Sequence, residues 1–111
     1  MKSISVRLRV YVDGTLIVGP GRIELLERIE RTGSLASAAR EMGMSYRRAW
    51  LLMHSLNDAL RDPALISVKG GRKGGGASVT HAGKSLVLAY RRTEAEGLRR
   101  VRRSLGKFVR L

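Results

Sequence analysis

The stretch SLASAAREMGMSYRRAWLLMHSLNDAL, residues 34–60, decides how the rest of this chain folds. Its first part carries apolar residues at helical spacing, namely Leu35, Ala38, Ala39 and Met42. Gly43 then permits a sharp turn, and the hydroxyl of Ser45 can cap a second helix by accepting a hydrogen bond from a free amide of its first turn. The pattern predicts two short helices joined by a tight turn.

The second predicted helix is amphipathic when its residues are placed about 100° apart. Its apolar face is centred on Ala49, Met53, Leu56 and Leu60, with Tyr46, Trp50, Leu52 and Ala59 at the edges. The opposite face carries Arg47, Arg48, His54, Ser55 and Asp58, with Leu51 as its only large apolar residue. We expect the first face to be core and the second to be free to contact a partner. Trp50 could stack on a base, but we expect it to pack with the core. The ring of Tyr46 can pack while its hydroxyl reaches a phosphate.

A helix, a sharp turn and an amphipathic helix that opens with basic residues form a helix-turn-helix, whose second helix presents its first side chains to the major groove of DNA. The predicted DNA-binding residues on this helix are Ser45, Tyr46, Arg47, Arg48 and His54. A helical hairpin buried in an ordinary core is the structural alternative.

Composition favours a polyanionic partner. The chain has 111 residues with 22 Lys and Arg against 9 Asp and Glu, a formal net charge of +13. This charge on a single small domain attracts DNA, RNA or an anionic membrane. Cysteine is absent, which excludes disulfides and thiolate chemistry. Because no apolar run is long enough for a membrane span or a signal peptide, we expect a soluble, cytoplasmic protein.

The N-terminal segment predicts a β-hairpin followed by a helix. Residues 4–12 alternate between apolar and polar side chains, as in a half-buried strand, and Asp13-Gly14 is a preferred two-residue connection to a second strand at 15–18. Pro20 can open a helix with Ile23, Leu26 and Ile29 on its apolar face and Gly33 at its end. Two ion pairs are expected on its surface, Glu24 with Arg28 and Glu27 with Arg31.

Residues 69–76, between strand candidates at 65–68 and 77–80, form a glycine-rich cationic loop. Directly after a helix-turn-helix, such a loop has the form of a wing, which lets backbone approach phosphates while cations neutralise them. The predicted DNA-binding residues of the wing are Lys69, Arg72, Lys73 and Gly74. A phosphate-binding loop of nucleotide hydrolases is excluded because no Lys-Ser or Lys-Thr follows the last glycine. A flexible solvated turn is the alternative.

The last part of the chain predicts a long helix capped by Thr80 and running over 81–111, on which Leu86, Val87 and Tyr90 can pack against the domain. Further along, apolar residues repeat at spacings of three and four, at Leu98, Val101, Leu105 and Phe108. Such a stripe favours a homodimer interface, and the alternatives are a basic amphipathic helix that lies on a membrane or one that trails loosely from the domain. We favour the homodimer and expect no membrane partner.

The sequence shows no group of residues that is typical of a catalytic site or a metal site. His54 and His81 are too isolated for a metal site, and no nucleophile, base and orienting group occur together. We therefore expect neither an enzyme nor a cofactor or metal.

The ordered motifs resemble a known family. GlyProGlyArg at 19–22, ThrGlySerLeuAlaSerAlaAla at 32–39, GlyMetSerTyrArgArgAlaTrp at 43–50 and the glycine-rich loop at 70–77 resemble the N-terminal DNA-binding domain of ModE-type molybdate-responsive transcription regulators, a winged helix related to LysR-type regulators. The resemblance implies a dimeric DNA-binding regulator. Members that sense molybdate carry oxyanion-binding domains after the winged helix, and because this chain ends at Leu111 we expect the sensing function not to carry over. The domain would then be regulated by its abundance, by an unidentified protein partner, or not at all.

These observations predict one mainly α domain over 1–111 with small β structure: a β-hairpin at 1–19, a winged helix-turn-helix at 20–80 and a long C-terminal helix at 81–111. The predicted function is sequence-selective binding of double-stranded DNA as a transcriptional regulator, through the recognition helix 45–60 and the wing 69–76. The alternatives are a chromatin-organising protein that binds DNA without sequence preference and an RNA-binding basic protein.

Overall fold

A computed structural model of the chain describes residues 2–68 and 76–111. The elements in order are β1 (Val10–Val12), β2 (Thr15–Val18), α1 (Pro20–Thr32), α2 (Leu35–Glu41), α3 (Tyr46–Ala59), β3 (Leu65–Val68), β4 (Gly76–Val79) and α4 (His81–Ser104), followed by a short 3₁₀ helix at Gly106–Phe108. β1 pairs with β2 and β3 with β4, both antiparallel. This is the predicted mainly α fold with small β structure, a winged helix-turn-helix with an N-terminal hairpin and a long C-terminal helix.

The core lies where α1, α2 and α3 meet. The α1 side chains Ile23, Leu25, Leu26 and Ile29 are fully buried, as are Ala38 and Ala39 of α2 and Ala49, Met53 and Leu56 of α3. The two alanines of α2 leave little side chain between crossing helices, which allows a close approach. The predicted apolar face of α3 is therefore confirmed at its centre.

The helix ends follow the capping residues in the sequence. The Ser45 hydroxyl accepts a hydrogen bond from the Arg48 amide at 3.1 Å, and the Thr80 hydroxyl accepts one from the Gly83 amide at 3.0 Å. Gly33 and Gly43 adopt φ values of 71° and 68°, in the left-handed region where a side chain is disfavoured. These four positions confirm the predicted starts of α3 and α4 and the predicted turns.

The N-terminal strand is shorter than its alternation predicts. The Asp13-Gly14 turn is present, with φ of 48° and 78° as in a type I′ turn, but β1 covers only Val10–Val12. The prediction of a strand from residue 4 is wrong, because β2 ends at Val18 where the chain enters α1 and offers nothing further to pair with. Residues 4–9 follow α4 instead, and the Leu8 carbonyl accepts a 2.6 Å hydrogen bond from the Tyr90 hydroxyl.

The burial of the N-terminal segment also differs from the prediction. Ile4, Val6 and Leu8 are half-buried as expected, whereas Val10 and Val12 are exposed. A register shift between Val10 and Tyr11 interrupts the alternation at this point.

The C-terminal helix ends earlier than predicted. α4 stops at Ser104, and the glycine at 106 begins the 3₁₀ turn, so the predicted helix to residue 111 is wrong in its last seven residues. Leu98 and Val101 are half-buried on α4, beside grooves that also include Ile4. Leu105 and Phe108 are exposed, Phe108 by 77%. The four residues of the predicted dimer stripe therefore do not lie on one continuous helix.

Ion pairs join α1 to α2 and α4. Arg91 of α4 pairs with Glu27 at 2.6 Å and with Glu94 at 2.9 Å, and these hydrogen bonds raise its pKa. Arg28 pairs with Glu24 as predicted. The predicted pair of Glu27 with Arg31 is not formed, because Glu27 faces Arg91 and Arg31 pairs with Glu41 of α2. Across the part of the chain that the structure describes, every helix is too short or too polar to cross a membrane.

Candidate nucleic-acid interface

The exposed face of α3 lies open on the surface. Arg47, Arg48 and His54 are exposed, and Leu51 is 48% exposed. Within residues 2–68 and 76–111, Arg47 and Arg48 form no ion pair with a carboxylate. The capped start of α3 holds the backbone from which these two arginines project. Two uncompensated guanidinium groups on a rigid helix start are suited to an anionic partner.

Trp50 lies at the edge of this face and not in the core. The prediction that it packs in the core is wrong, since 46% of the residue is exposed. Its ring stacks on that of His54, with ring centroids 4.7 Å apart and planes at 8°. The smaller side chains of Ala49 and Met53 fill the neighbouring core positions, which leaves the indole turned outward. His54 Nε2 in turn lies 3.5 Å from Asp58 Oδ2.

A groove of about 550 Å³ separates α3 from the second hairpin. Tyr46, Trp50 and His54 line it on the helix side, and residues 66–68 and 76–77 line it on the strand side. The recognition helix and the wing strands therefore face a common groove on one side of the molecule. This arrangement is the one that a winged helix-turn-helix requires in order to contact a single duplex.

Hydrogen bonds from two side chains to the backbone fix the wing strands against the helices. The Asn57 amide oxygen of α3 accepts hydrogen bonds from the backbone N–H groups of Ala64, at 2.8 Å, and Leu65, at 3.3 Å, and its nitrogen donates to the Leu65 carbonyl at 2.9 Å. The Thr80 hydroxyl donates to the Pro63 carbonyl at 2.6 Å. Sequence reasoning did not identify Asn57, whose only signal is an amide side chain near the end of an amphipathic helix.

The tip of the wing lies outside the described residues. The predicted contacts Lys69, Arg72, Lys73 and Gly74 all fall there. The strands on either side of these residues are in register, with Val68 opposite Gly76.

A second pocket lies on the other side of α3, against α1. It measures about 390 Å³ and is lined by Arg22, Ser45, Arg47, Arg48, Leu51, Leu52 and Ser55. Arg22 Nη2 donates to Ser55 Oγ at 3.3 Å, and Arg22 Nε is buried without a hydrogen-bond partner among the described residues. Sequence reasoning missed Arg22. One signal was available, because a cation in the first turn of a helix opposes the helix dipole and needs another reason to be there.

The described residues provide no cluster of three or more His, Asp or Glu side chains that could hold a metal ion. The polar side chains that line the two pockets beside α3 carry guanidinium, hydroxyl, imidazole, indole and amide groups. Such groups bind anions and hydrogen-bonding surfaces.

The fold and this surface define a winged helix-turn-helix protein. Comparison with known families agrees, since the profile described as "Bacterial regulatory helix-turn-helix protein, lysR family" matches residues 21–84. That match covers more than half of the chain and includes α1 from its second residue, α2, α3 and both wing strands. The chain belongs to this family.

Several characterised proteins are similar to the chain. It is 42% identical over 94 residues to the molybdenum-pterin-binding protein MopB of Rhodobacter capsulatus, covering 85% of this chain and 34% of MopB. It is 38% identical over 90 residues to the molybdenum transport protein ModE of Azotobacter vinelandii, covering 81% of this chain and 33% of that protein. The DNA-binding transcriptional dual regulator ModE of Escherichia coli K12 is 32% identical over 83 residues, which are 75% of this chain and 32% of that protein.

These similarities confirm the resemblance to ModE-type regulators. The chain spans about a third of the length of these relatives.

Proposed function

We propose that this chain is a DNA-binding transcriptional regulator that binds duplex DNA sequence-selectively, with α3 in the major groove and the wing on the adjacent backbone. The observation that carries the proposal is the common groove between the exposed edge of α3 and the strands of the wing. Membership of the helix-turn-helix family and the DNA-binding regulatory function of the Escherichia coli relative support the same class. The net charge of +13 supplies the non-specific attraction that such a protein needs.

The exposed face of α3 favours Arg47 as the residue that contacts bases. Successive helical residues lie about 100° apart, so Arg47 and Leu51 share the centre of the exposed face while Arg48 lies toward α1. A guanidinium at the centre of the face can reach a guanine edge with two parallel hydrogen bonds. Leu51, exposed beside it, is suited to contact a thymine methyl group.

The wing has a different role in this proposal. Lys69, Arg72 and Lys73 contact phosphates and therefore contribute to affinity without reading sequence. Tyr46 and His54 border the groove between helix and wing, where they can contact the sugar-phosphate backbone.

A homodimer completes the proposal. The exposed apolar residues Leu105 and Phe108 beyond the end of α4 offer surface that a second copy can bury, together with the half-buried Leu98 and Val101. Two copies related by a two-fold axis would place two α3 helices on a palindromic site. Selection of bound fragments from genomic DNA tests both points, because recovered sequences should share a palindrome.

A pair of variants tests the assignment of roles. Arg47→Ala should relax preference at one base position and reduce affinity for the selected fragment by about 1–3 kcal/mol. Lys73→Ala should weaken selected and random duplexes alike and lower the slope of log Kd against log salt concentration by about one. Fluorescence anisotropy with both duplexes over a salt series measures these effects.

The proposal fails if no sequence is enriched over bulk genomic DNA at physiological salt. A specificity ratio below about a thousand would indicate a chromatin-organising protein, and tighter binding to structured RNA would indicate an RNA-binding protein. If Arg47→Ala and Lys73→Ala changed specific and random binding identically, the division between base and phosphate contacts would be wrong.

A further inference from the structure

We propose that the pocket around Arg22 binds a phosphate of the DNA backbone on the side of α3 opposite to the wing. The inference rests on the proposed function, since it takes α3 to lie in a major groove. It assigns DNA contact to α1, outside the recognition helix and the wing.

The hydrogen bonding of Arg22 indicates an anionic ligand. Its Nη2 donates to Ser55 Oγ at 3.3 Å, whereas Nε is buried and has no acceptor among residues 2–68 and 76–111. A buried charged donor without an acceptor is costly, and a guanidinium binds a phosphate through two parallel N–H groups. Within those same residues Arg22 has no carboxylate within 4 Å, so its charge is not compensated there.

The groups around the pocket match a phosphate. Arg22 and Arg48 contribute two guanidinium groups, Ser45 and Ser55 contribute hydroxyls, and Arg47, assigned above to a base, lines the pocket beside them. Ser45 is already engaged as the cap of α3, which leaves the Ser55 hydroxyl to hold Arg22 in place. A pocket of about 390 Å³ has room for a phosphodiester and its first waters.

The position of the pocket around α3 fits the geometry of a major groove. Relative to Arg47, Trp50 lies about 60° round the helix on the wing side, and Ser55 lies about 80° round on the α1 side. A helix in a major groove about 12 Å wide has a phosphate backbone on each flank. The wing then serves one backbone, and the Arg22 pocket is placed to serve the other.

A purely structural role for Arg22 would give a different result. The 3.3 Å hydrogen bond to Ser55 joins α1 to α3, and a structural residue would need only this bond. Arg22→Gln keeps a donor near Ser55 but removes the charge and the buried Nε. Arg22→Lys restores the charge without the paired N–H groups.

The experiment measures binding of a fluorescent 30-base-pair duplex carrying the sequence recovered by genomic selection, over a salt series. If selection recovers no sequence, a random duplex of the same length is used at low salt, because a phosphate contact does not depend on sequence. Arg92→Gln is the control, since it removes the same charge from an exposed position on α4 that makes no ion pair with the described residues. Urea unfolding of each variant checks that the fold is retained.

We expect Arg22→Gln to weaken binding about tenfold or more and to lower the salt slope by about one. Arg22→Lys should recover part of the loss, and Arg92→Gln should change affinity less than threefold. Single phosphates of the duplex are then replaced by uncharged methylphosphonates. At one position on the backbone away from the wing, this replacement should weaken binding by the wild type, and Arg22→Gln should weaken binding to that modified duplex no further.

Equal effects of Arg22→Gln and Arg92→Gln on the selected duplex would overturn the inference while leaving the proposed function intact. The inference would also be overturned if Arg22→Gln weakened binding by the same factor on the unmodified duplex and on every duplex that carries a methylphosphonate. If inorganic phosphate at constant ionic strength stabilised the wild type but not Arg22→Gln, and DNA binding were the same in both, the pocket would be a site for free phosphate only. Absence of sequence enrichment would instead contradict the proposed function.

Discussion

Replacing Gly83 by alanine tests how the wing is joined to the rest of the molecule. A Cβ atom at this position would lie 2.3 Å from the Ala64 carbonyl oxygen and 2.7 Å from Val79 Cγ1. Ala64 precedes β3 and Val79 ends β4, and Leu65 pairs with Val79, so the added methyl group would push on both strands at the same end of the wing sheet. The Ala64 carbonyl also accepts a 2.9 Å hydrogen bond from the Thr80 amide, which holds it in place.

The magnitude follows from two opposing effects. Overpacking a tight site costs about 1–3 kcal/mol, and contact with a backbone atom, which has no rotamer to adopt, places this site near the upper value. Alanine is favoured over glycine in a helix by at most about 1 kcal/mol. The expected net loss in the free energy of unfolding is therefore about 2 kcal/mol.

Urea unfolding followed by circular dichroism measures this loss, and Gly97→Ala is the matched control. Gly97 lies in the same helix, and nothing within 4 Å would meet its Cβ, so this variant should gain about 0.5–1 kcal/mol. If Gly83→Ala were as stable as Gly97→Ala, the close approach of α4 to Ala64 would be refuted.

Two other contacts give measurable outcomes. Asn57→Ala leaves the Ala64 and Leu65 amides without their acceptor and should lower the free energy of unfolding in urea by about 1–3 kcal/mol. Asn57→Asp keeps an oxygen at this position and should lower it less. Equal losses for the two variants would contradict the acceptor role. Tyr90→Phe should cost about 1 kcal/mol near pH 7, since it removes the hydrogen bond to the Leu8 carbonyl. Burial raises the pKa of Tyr90 in the folded state. The contribution of its hydroxyl to the free energy of unfolding is therefore present below about pH 10 and is lost as the pH rises through the folded pKa. The difference in the free energy of unfolding between wild type and Tyr90→Phe should narrow above about pH 10. A difference that widened above pH 10 would contradict this direction.

The parts of the fold that were predictable are those governed by local rules. Ser45 and Thr80 cap their helices and Gly43 turns the chain because capping and positive φ depend on a few neighbouring residues. The apolar face of α3 was predictable because burial follows helical periodicity. The wing strands were predictable to within a residue at each end.

The parts that were not predictable depend on distant partners. Alternation at residues 4–12 indicated a strand, but a strand needs a neighbour, and β2 is too short to provide one. Glu27 lies four residues from Arg31, yet it pairs with Arg91, which is 64 residues away in sequence. Trp50 lies at the edge of the apolar face of α3, where a small rotation of the helix determines whether its side chain packs in the core or faces the groove.

The same limit applies to the candidate site. The charges of α3 and of the wing were evident as clusters in sequence, whereas Arg22 and Asn57 gain their roles only by lying next to α3 and the wing roots in space. Periodicity assigns a residue to a face but does not say which element covers that face.

The distribution of ion pairs among the described residues leaves the arginines around the start of α3 without carboxylate partners. Glu24, Glu27, Glu41 and Glu94 pair with arginines of α1 and α4, on the surfaces that join these helices to each other and to α2. The hydrogen bond from Arg31 lowers the pKa of Glu41, which keeps this carboxylate charged and engaged. Arg22, Arg47 and Arg48 lie away from these pairs, around the start of α3. Because no carboxylate among the described residues pairs with these three arginines, the surface around the start of α3 attracts a polyanion before any specific contact forms, as do the exposed, unpaired Arg99, Arg100, Arg102 and Arg103 of α4.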